Sequence, residues 1–239
     1  MGSAISTANV WTLFRKMVKY NMKVIFGNRF IWFVVAAIAF YFFIAVTSIL
    51  DGNQLNEGFI YGLQITPGLL LIFYPMTFGI QNDLDAGILE ILFGIPDYRY
   101  KVWLVRLILV FVLVGLMMIG LTVMSYYLLA PVSIFEVTWH VMFPIYFLGS
   151  LAFLFSTIIK NGNGTAVVMV ILGVVLLIIS GILERTMWNI FLNPFDIPNR
   201  LNEMVWQEIT MKNRIFLAVG TILFVLYGLF NLQKREKFI

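Results

Sequence analysis

Six apolar stretches free of lysine, arginine, aspartate and glutamate limit what this chain can become: Phe30–Leu50, Gly58–Asn82, Leu107–Phe135, Val137–Ile159, Asn161–Leu183 and Ile215–Gln233. A helix needs about 20 apolar residues to cross roughly 30 Å of hydrocarbon, and each stretch is close to that length or beyond it. The stretches are continuously apolar instead of alternating with period two, which favours helices over a barrel. The pattern predicts an all-α membrane protein, one domain over residues 1–239. Its six transmembrane helices are expected over 30–50, 58–82, 107–130, 137–159, 164–183 and 215–233.

Composition agrees with a lipid solvent. Only 12% of residues are charged, against about 25% in soluble domains. The net charge of +4 does not point to nucleic acid, because the charges cluster between the apolar runs, as membrane topology requires. There is no cysteine and one histidine, His140, so neither a thiolate site nor a histidine-built metal centre is expected. Within the runs no carboxylate or ammonium stands near mid-membrane. That argues against a proton relay or an ion-coupled carrier. His140 reads as an interfacial or packing residue.

Orientation follows from the basic residues. With the N-terminus in the cytoplasm, the inside segments carry twelve Lys and Arg and the outside segments four, so both termini are expected inside. Residues 9–28 have the pattern of an amphipathic interfacial helix. Trp11 and Phe14 lie near one face, and Arg15, Lys16, Lys19 and Lys23 face the lipid head groups. The turn Lys160–Gly164 is short. Residues 184–213 form a semi-apolar outside segment broken by Pro194 and Pro198. Gly58 and Gly62 make one small-xxx-small pair at the mouth of the second run.

No phosphate loop occurs, since Gly162-x-Gly164 follows no strand and precedes no Gly-Lys-Ser/Thr. The most informative connection is residues 83–98. Leu84, Ile88 and Leu92 repeat at helical spacing, with Asp83 and Asp85 placed for the first turn of a short loop helix. The same segment reads Gly87-x-Leu89-Glu90-x-Leu92-x-x-x-Pro96. That pattern resembles the cytoplasmic coupling segment of the ABC-2-type permeases, the membrane subunits of ATP-binding-cassette exporters. The resemblance extends over almost the whole chain: a basic amphipathic N-terminal helix, six spans, the patterned loop, and Asn193-Pro194 in a long outside segment. Ile88 stands where the family usually has threonine, and Gly94-Ile95 precede the proline where a small hydroxyl residue is common.

The resemblance implies a non-catalytic half-transporter in a bacterial cytoplasmic membrane. It would pair with a second permease subunit and be driven by two separate ATPase subunits, which hold the ATP and Mg. Coupling to the ATPase would involve Asp83, Asp85, Gly87, Leu89, Glu90, Leu92 and Pro96, with short re-entrant helices before the last span. A substrate route between permease subunits would be lined by Phe40, Tyr41, Phe43, Thr47, Gln64, Thr66, Tyr74 and Thr77. A secondary carrier or channel, a lipid-modifying subunit and a membrane scaffold are the competing classes.

Overall fold

The computed structural model describes residues 30–52, 55–85, 87, 99–198 and 201–232. The expected interfacial helix (residues 9–28) and Leu89, Glu90, Leu92 and Pro96 lie outside them. Six helices are long and apolar enough to cross a membrane, the architecture of a multi-pass membrane protein. They are α1 Phe30–Leu50, α2 Glu57–Asp85, α3 Val105–Leu128, α4 Ile134–Ile159, α5 Gly162–Ile182 and α6 Glu203–Asn231. A wider π-helical turn, Arg99–Leu104, leads into α3.

The fold is inside-out relative to a soluble protein. Leucine, isoleucine, valine and phenylalanine side chains cover much of its exterior, where only lipid or another apolar surface can face them without the cost of hydration. α2 and α4 form the centre, with 61% of each apolar window buried, whereas α5 has 11% buried and lies at the periphery. α4 packs chiefly on α2 and α6, and α1 packs on α2.

Glycine lets the two central helices approach. A side chain at Gly68 would run into Ile145, and one at Gly149 would run into Ile72. The two helices therefore interlock reciprocally, each supplying an isoleucine for the other's glycine. Such close approach is the main source of helix association in lipid, where the hydrophobic effect between spans is absent. The pair read from the sequence, Gly58 and Gly62, does not do this: Gly62 faces open space and Gly58 faces Asn193.

Helix limits differ from expectation wherever a charge interrupts the apolar pattern. α2 continues through Asp83 and Asp85, so these carboxylates sit in its last turn instead of the first turn of a separate loop helix. The helix stops at Gly87, whose φ of +65° and amide bond to Leu84 O (3.0 Å) make a left-handed terminus. α3 and its preceding turn begin well before Leu107 and take in Arg106. α6 begins at Glu203, not Ile215, because Lys212 pairs with Glu208 one turn away and Arg214 turns inward. Where re-entrant helices were expected before the last span, residues 183–198 form a chain of turns.

Hydrogen bonds identify the two ends of the bundle. At one, Asn193 Nδ2 donates to Gly58 O (3.0 Å) and the Ser133 amide donates to Glu57 Oε1 (2.9 Å). At the other, the Gly162 amide donates to Gln81 Oε1, and Asn231 Nδ2 donates to Thr157 O (2.9 Å).

Candidate functional site

Three polar assemblies are built into this apolar bundle. The first lies at the end that carries residues 86–98. Arg106 donates to both Asp83 oxygens (2.8 and 3.3 Å), a bidentate pair in which Asp83 is 1% exposed. The guanidinium also lies 4.7 Å from the centre of the Trp103 ring. A carboxylate at a helix C-terminus opposes the helix dipole, and the arginine offsets that penalty. The pair joins the last turn of α2 to the first turn of α3, so both stems of the 86–98 segment are pinned together. Asp85, by contrast, is exposed.

A second assembly crosses α1 to α4. Tyr41 Oη and Ser125 Oγ are 2.8 Å apart, Gln64 Nε2 donates to Ser125 Oγ (3.4 Å), and Thr122 Oγ1 lies 3.0 Å from Gln64 Oε1 and 2.9 Å from Thr138 Oγ1. This assembly divides the expected pathway-lining set. Tyr41, Gln64, Tyr74 and Thr77 are buried inside the single chain, where Tyr74 accepts from Asn82 (3.2 Å) and stacks on Phe78. Phe43 and Thr66 are exposed, Phe40 is half-buried, and the half-buried Thr47 bonds back to Phe43 O and Ile44 O of its own helix. The buried four are consumed by packing between helices, so they do not form one continuous lining with the exposed ones.

The third assembly was not anticipated. Arg214, 6% exposed, donates through Nε to His140 Nδ1 (3.1 Å), through Nη1 to Asn213 Oδ1 (2.8 Å), and through Nη2 to Leu192 O (3.1 Å) and Tyr61 Oη (3.4 Å). No carboxylate of the described residues lies within ion-pair distance of it. Asn213 Nδ2 holds Met187 O and Asn189 O (both 2.8 Å), and Trp206 Nε1 donates to Pro194 O (3.0 Å). α6 thus gathers the carbonyls that residues 183–198 leave unpaired for lack of helix. His140 is a partner of Arg214 more than an interfacial residue. The signal in the sequence was a lone arginine abutting an apolar run with no acid beside it.

A half-open cleft of about 550 Å³ lies against this assembly, between α4 and α6. Trp139, Phe143, Phe195 and Trp206 give it aromatic walls, and Glu136, His140, Thr210 and Arg214 give it polar ones. None of the eight expected pathway residues borders it. Among the described residues no cluster of three His, Cys, Asp or Glu side chains could hold a metal ion. Comparison with protein-family models, with curated proteins and with solved structures finds no match to this chain.

Proposed function

We propose that this chain is the membrane subunit of an ATP-binding-cassette exporter of the ABC-2 type. Two such permease chains, identical or similar, would enclose the route, and two separate ATPase subunits would bind ATP and Mg. Both termini and residues 86–98 would face the cytoplasm.

The observation that carries this reading is the Gly87-x-Leu89-Glu90-x-Leu92-x-x-x-Pro96 pattern in the sequence that connects α2 to α3. It is strung between two stems fused by the buried Asp83–Arg106 pair. A force applied to a loop on independent stems is lost in bending. On stems pinned together it moves α2 and α3 as one body, and the Gly68–Ile145 and Gly149–Ile72 contacts carry that displacement from α2 into α4. The buried position of α2 suits a lever of this kind, because packed cores respond by shifting between discrete arrangements and do not deform smoothly.

The test begins with whether a Walker-motif ATPase co-purifies with the chain. Within that complex, Glu90→Ala should leave expression and melting near wild type while transport-linked ATP hydrolysis falls strongly. A solvated carboxylate contributes about 0–1 kcal/mol to folding, whereas truncating one partner of a dry charged contact costs about 2–5 kcal/mol. Leu89→Asp and Leu92→Asp should release the ATPase by setting a charge against its docking groove. An intact complex with an unchanged hydrolysis rate in all three variants would overturn the proposal and favour a carrier or scaffold.

A further inference from the structure

The cleft between α4 and α6 contains two opposite charges, neither of which has a charged partner among the described residues. Arg214 forms one wall and is held by neutral acceptors only. Glu136 lies at the rim and is exposed. Ser133 and Glu136 have the spacing of a capping box, in which the glutamate would reach back to the serine amide. Here the Ser133 amide donates to Glu57 Oε1 instead (2.9 Å), although Ser133 Oγ still accepts from the Glu136 amide (3.4 Å). The Glu136 carboxylate is therefore displaced from its capping role and lines the cleft without a hydrogen-bond partner among the described residues. Glu136 and His140 are four residues apart on one helix face, about 6 Å along the axis, and His140 touches Arg214.

Thr210 adds a third unmet group. It is 7% exposed, it lines the cleft, and its hydroxyl has no hydrogen-bond partner. Helical threonines ordinarily bond a carbonyl one turn back, as Thr122 and Thr221 do here. An unsatisfied buried hydroxyl is costly, and it stands on the same helix face as Arg214, one turn away. Deeper along both helices the walls become apolar at Phe143, Ile215 and Ala218. The lips are apolar as well, with Trp139 and Met211 both more than half exposed. Such a cleft opens sideways toward acyl chains.

We propose that this cleft binds a zwitterionic phospholipid of the phosphoethanolamine type. The phosphate meets Arg214 and the Thr210 hydroxyl, the ammonium meets Glu136 and the aromatic faces of Trp139 and Phe195, and an acyl chain follows Phe143, Ile215 and Ala218. Charge complementarity selects this head group over the alternatives. A purely anionic lipid would leave Glu136 repelled, and a choline head group would carry no N–H donor for it. Aromatic rings attract either ammonium, so discrimination comes from the carboxylate. The inference does not depend on the exporter reading and would hold for a carrier or a scaffold.

The purified full-length protein, with any subunit that accompanies it, is delipidated and incubated with vesicles holding equal amounts of phosphatidylethanolamine, phosphatidylglycerol and phosphatidylcholine. Retained lipid is then counted by native mass spectrometry. Phosphatidylethanolamine should be retained in preference to both others. Thr210→Val should lower its retention about three- to tenfold, the value of one hydrogen bond, with melting unchanged or raised, since an unsatisfied buried hydroxyl is removed. Glu136→Gln should erase the preference over phosphatidylglycerol. Because Arg214 also supports the fold, its replacement is left out of the decision. Equal retention of the three lipids, or wild-type retention in both variants, overturns the proposal. So does full displacement by free phosphoethanolamine or inorganic phosphate at millimolar levels, which would mark a site for a soluble anion.

Discussion

Two buried arginines, one toward each end of the bundle, are held in opposite ways. Arg106 meets Asp83 in a bidentate ion pair, 2.8 Å at its shorter contact. Arg214 is as deeply buried but meets an imidazole, an amide, a phenol and a carbonyl. The first arrangement is neutral overall, its two charges cancelling even though Arg106 Nε finds no hydrogen-bond partner among the described residues, which suits a structural clamp at the root of a loop. The second leaves a full positive charge beside an open cleft. A protein whose only task was to close that end could have used a neutral donor there. The contrast separates a residue spent on the fold from one still able to attract a ligand.

Breaking the ion pair gives the largest expected effect. Asp83→Ala strands a buried guanidinium, which typically costs about 3–5 kcal/mol. The double variant Asp83→Ala/Arg106→Met removes both charges and should recover most of that loss, since apolar replacements of buried pairs are often neutral. Thermal unfolding in detergent micelles reads both. Equal destabilisation in the single and double variants would show that the clamp acts through packing on Trp103 and not through charge.

Arg214→Met should cost less. It strands acceptors but no opposite charge, so the expected loss is about 1–3 kcal/mol. The damage should concentrate where those acceptors lie, as faster amide hydrogen exchange in residues 187–193. Arg214→Lys should recover little, because an ammonium cannot present the planar fork that reaches several acceptors at once. A loss matching that of Asp83→Ala would mean that Arg214 has a carboxylate partner after all, and the distinction between the two ends would fail.

The same contrast explains what could be read from the chain alone. The first helix, Phe30–Leu50, has the limits expected from its apolar run, because no charge interrupts it and lipid leaves the backbone no alternative to helix. The sixth was misjudged at its start for the converse reason. Arg214 and Lys212 end the apolar run in the sequence, yet one is satisfied by turns distant in sequence and the other by Glu208 one turn away. Asp83, a charge at the end of an apolar run, reads as a loop residue, and its partner Arg106 lies 23 positions further along the sequence. Apolar periodicity reports which residues avoid water. It carries no information on which polar groups find one another inside, and that pairing is what locates the cleft and the clamp.

The smallest effect is expected in the middle of the molecule, between the two arginines. Gln64 is fully buried and links Ser125 to Thr122, which resembles a keystone. Both hydroxyls nevertheless keep an acceptor on their own helix, Ser125 donating to Leu121 O (3.0 Å) and Thr122 to Met118 O (2.9 Å). Gln64→Leu therefore strands neither of them. Interhelical hydrogen bonds in membranes are worth about 0.6 kcal/mol on average and about 1.7 at most. A double-mutant cycle of Gln64→Leu with Thr122→Val, read by unfolding, should return a coupling energy in that range. If the chain is the permease proposed above, transport should change little, because Gln64 borders no open cleft among those seen. A strong loss of transport with normal stability would restore Gln64 to the substrate route. It would also show that the bundle opens at its centre during function, along α1 to α4 and away from the α4–α6 cleft.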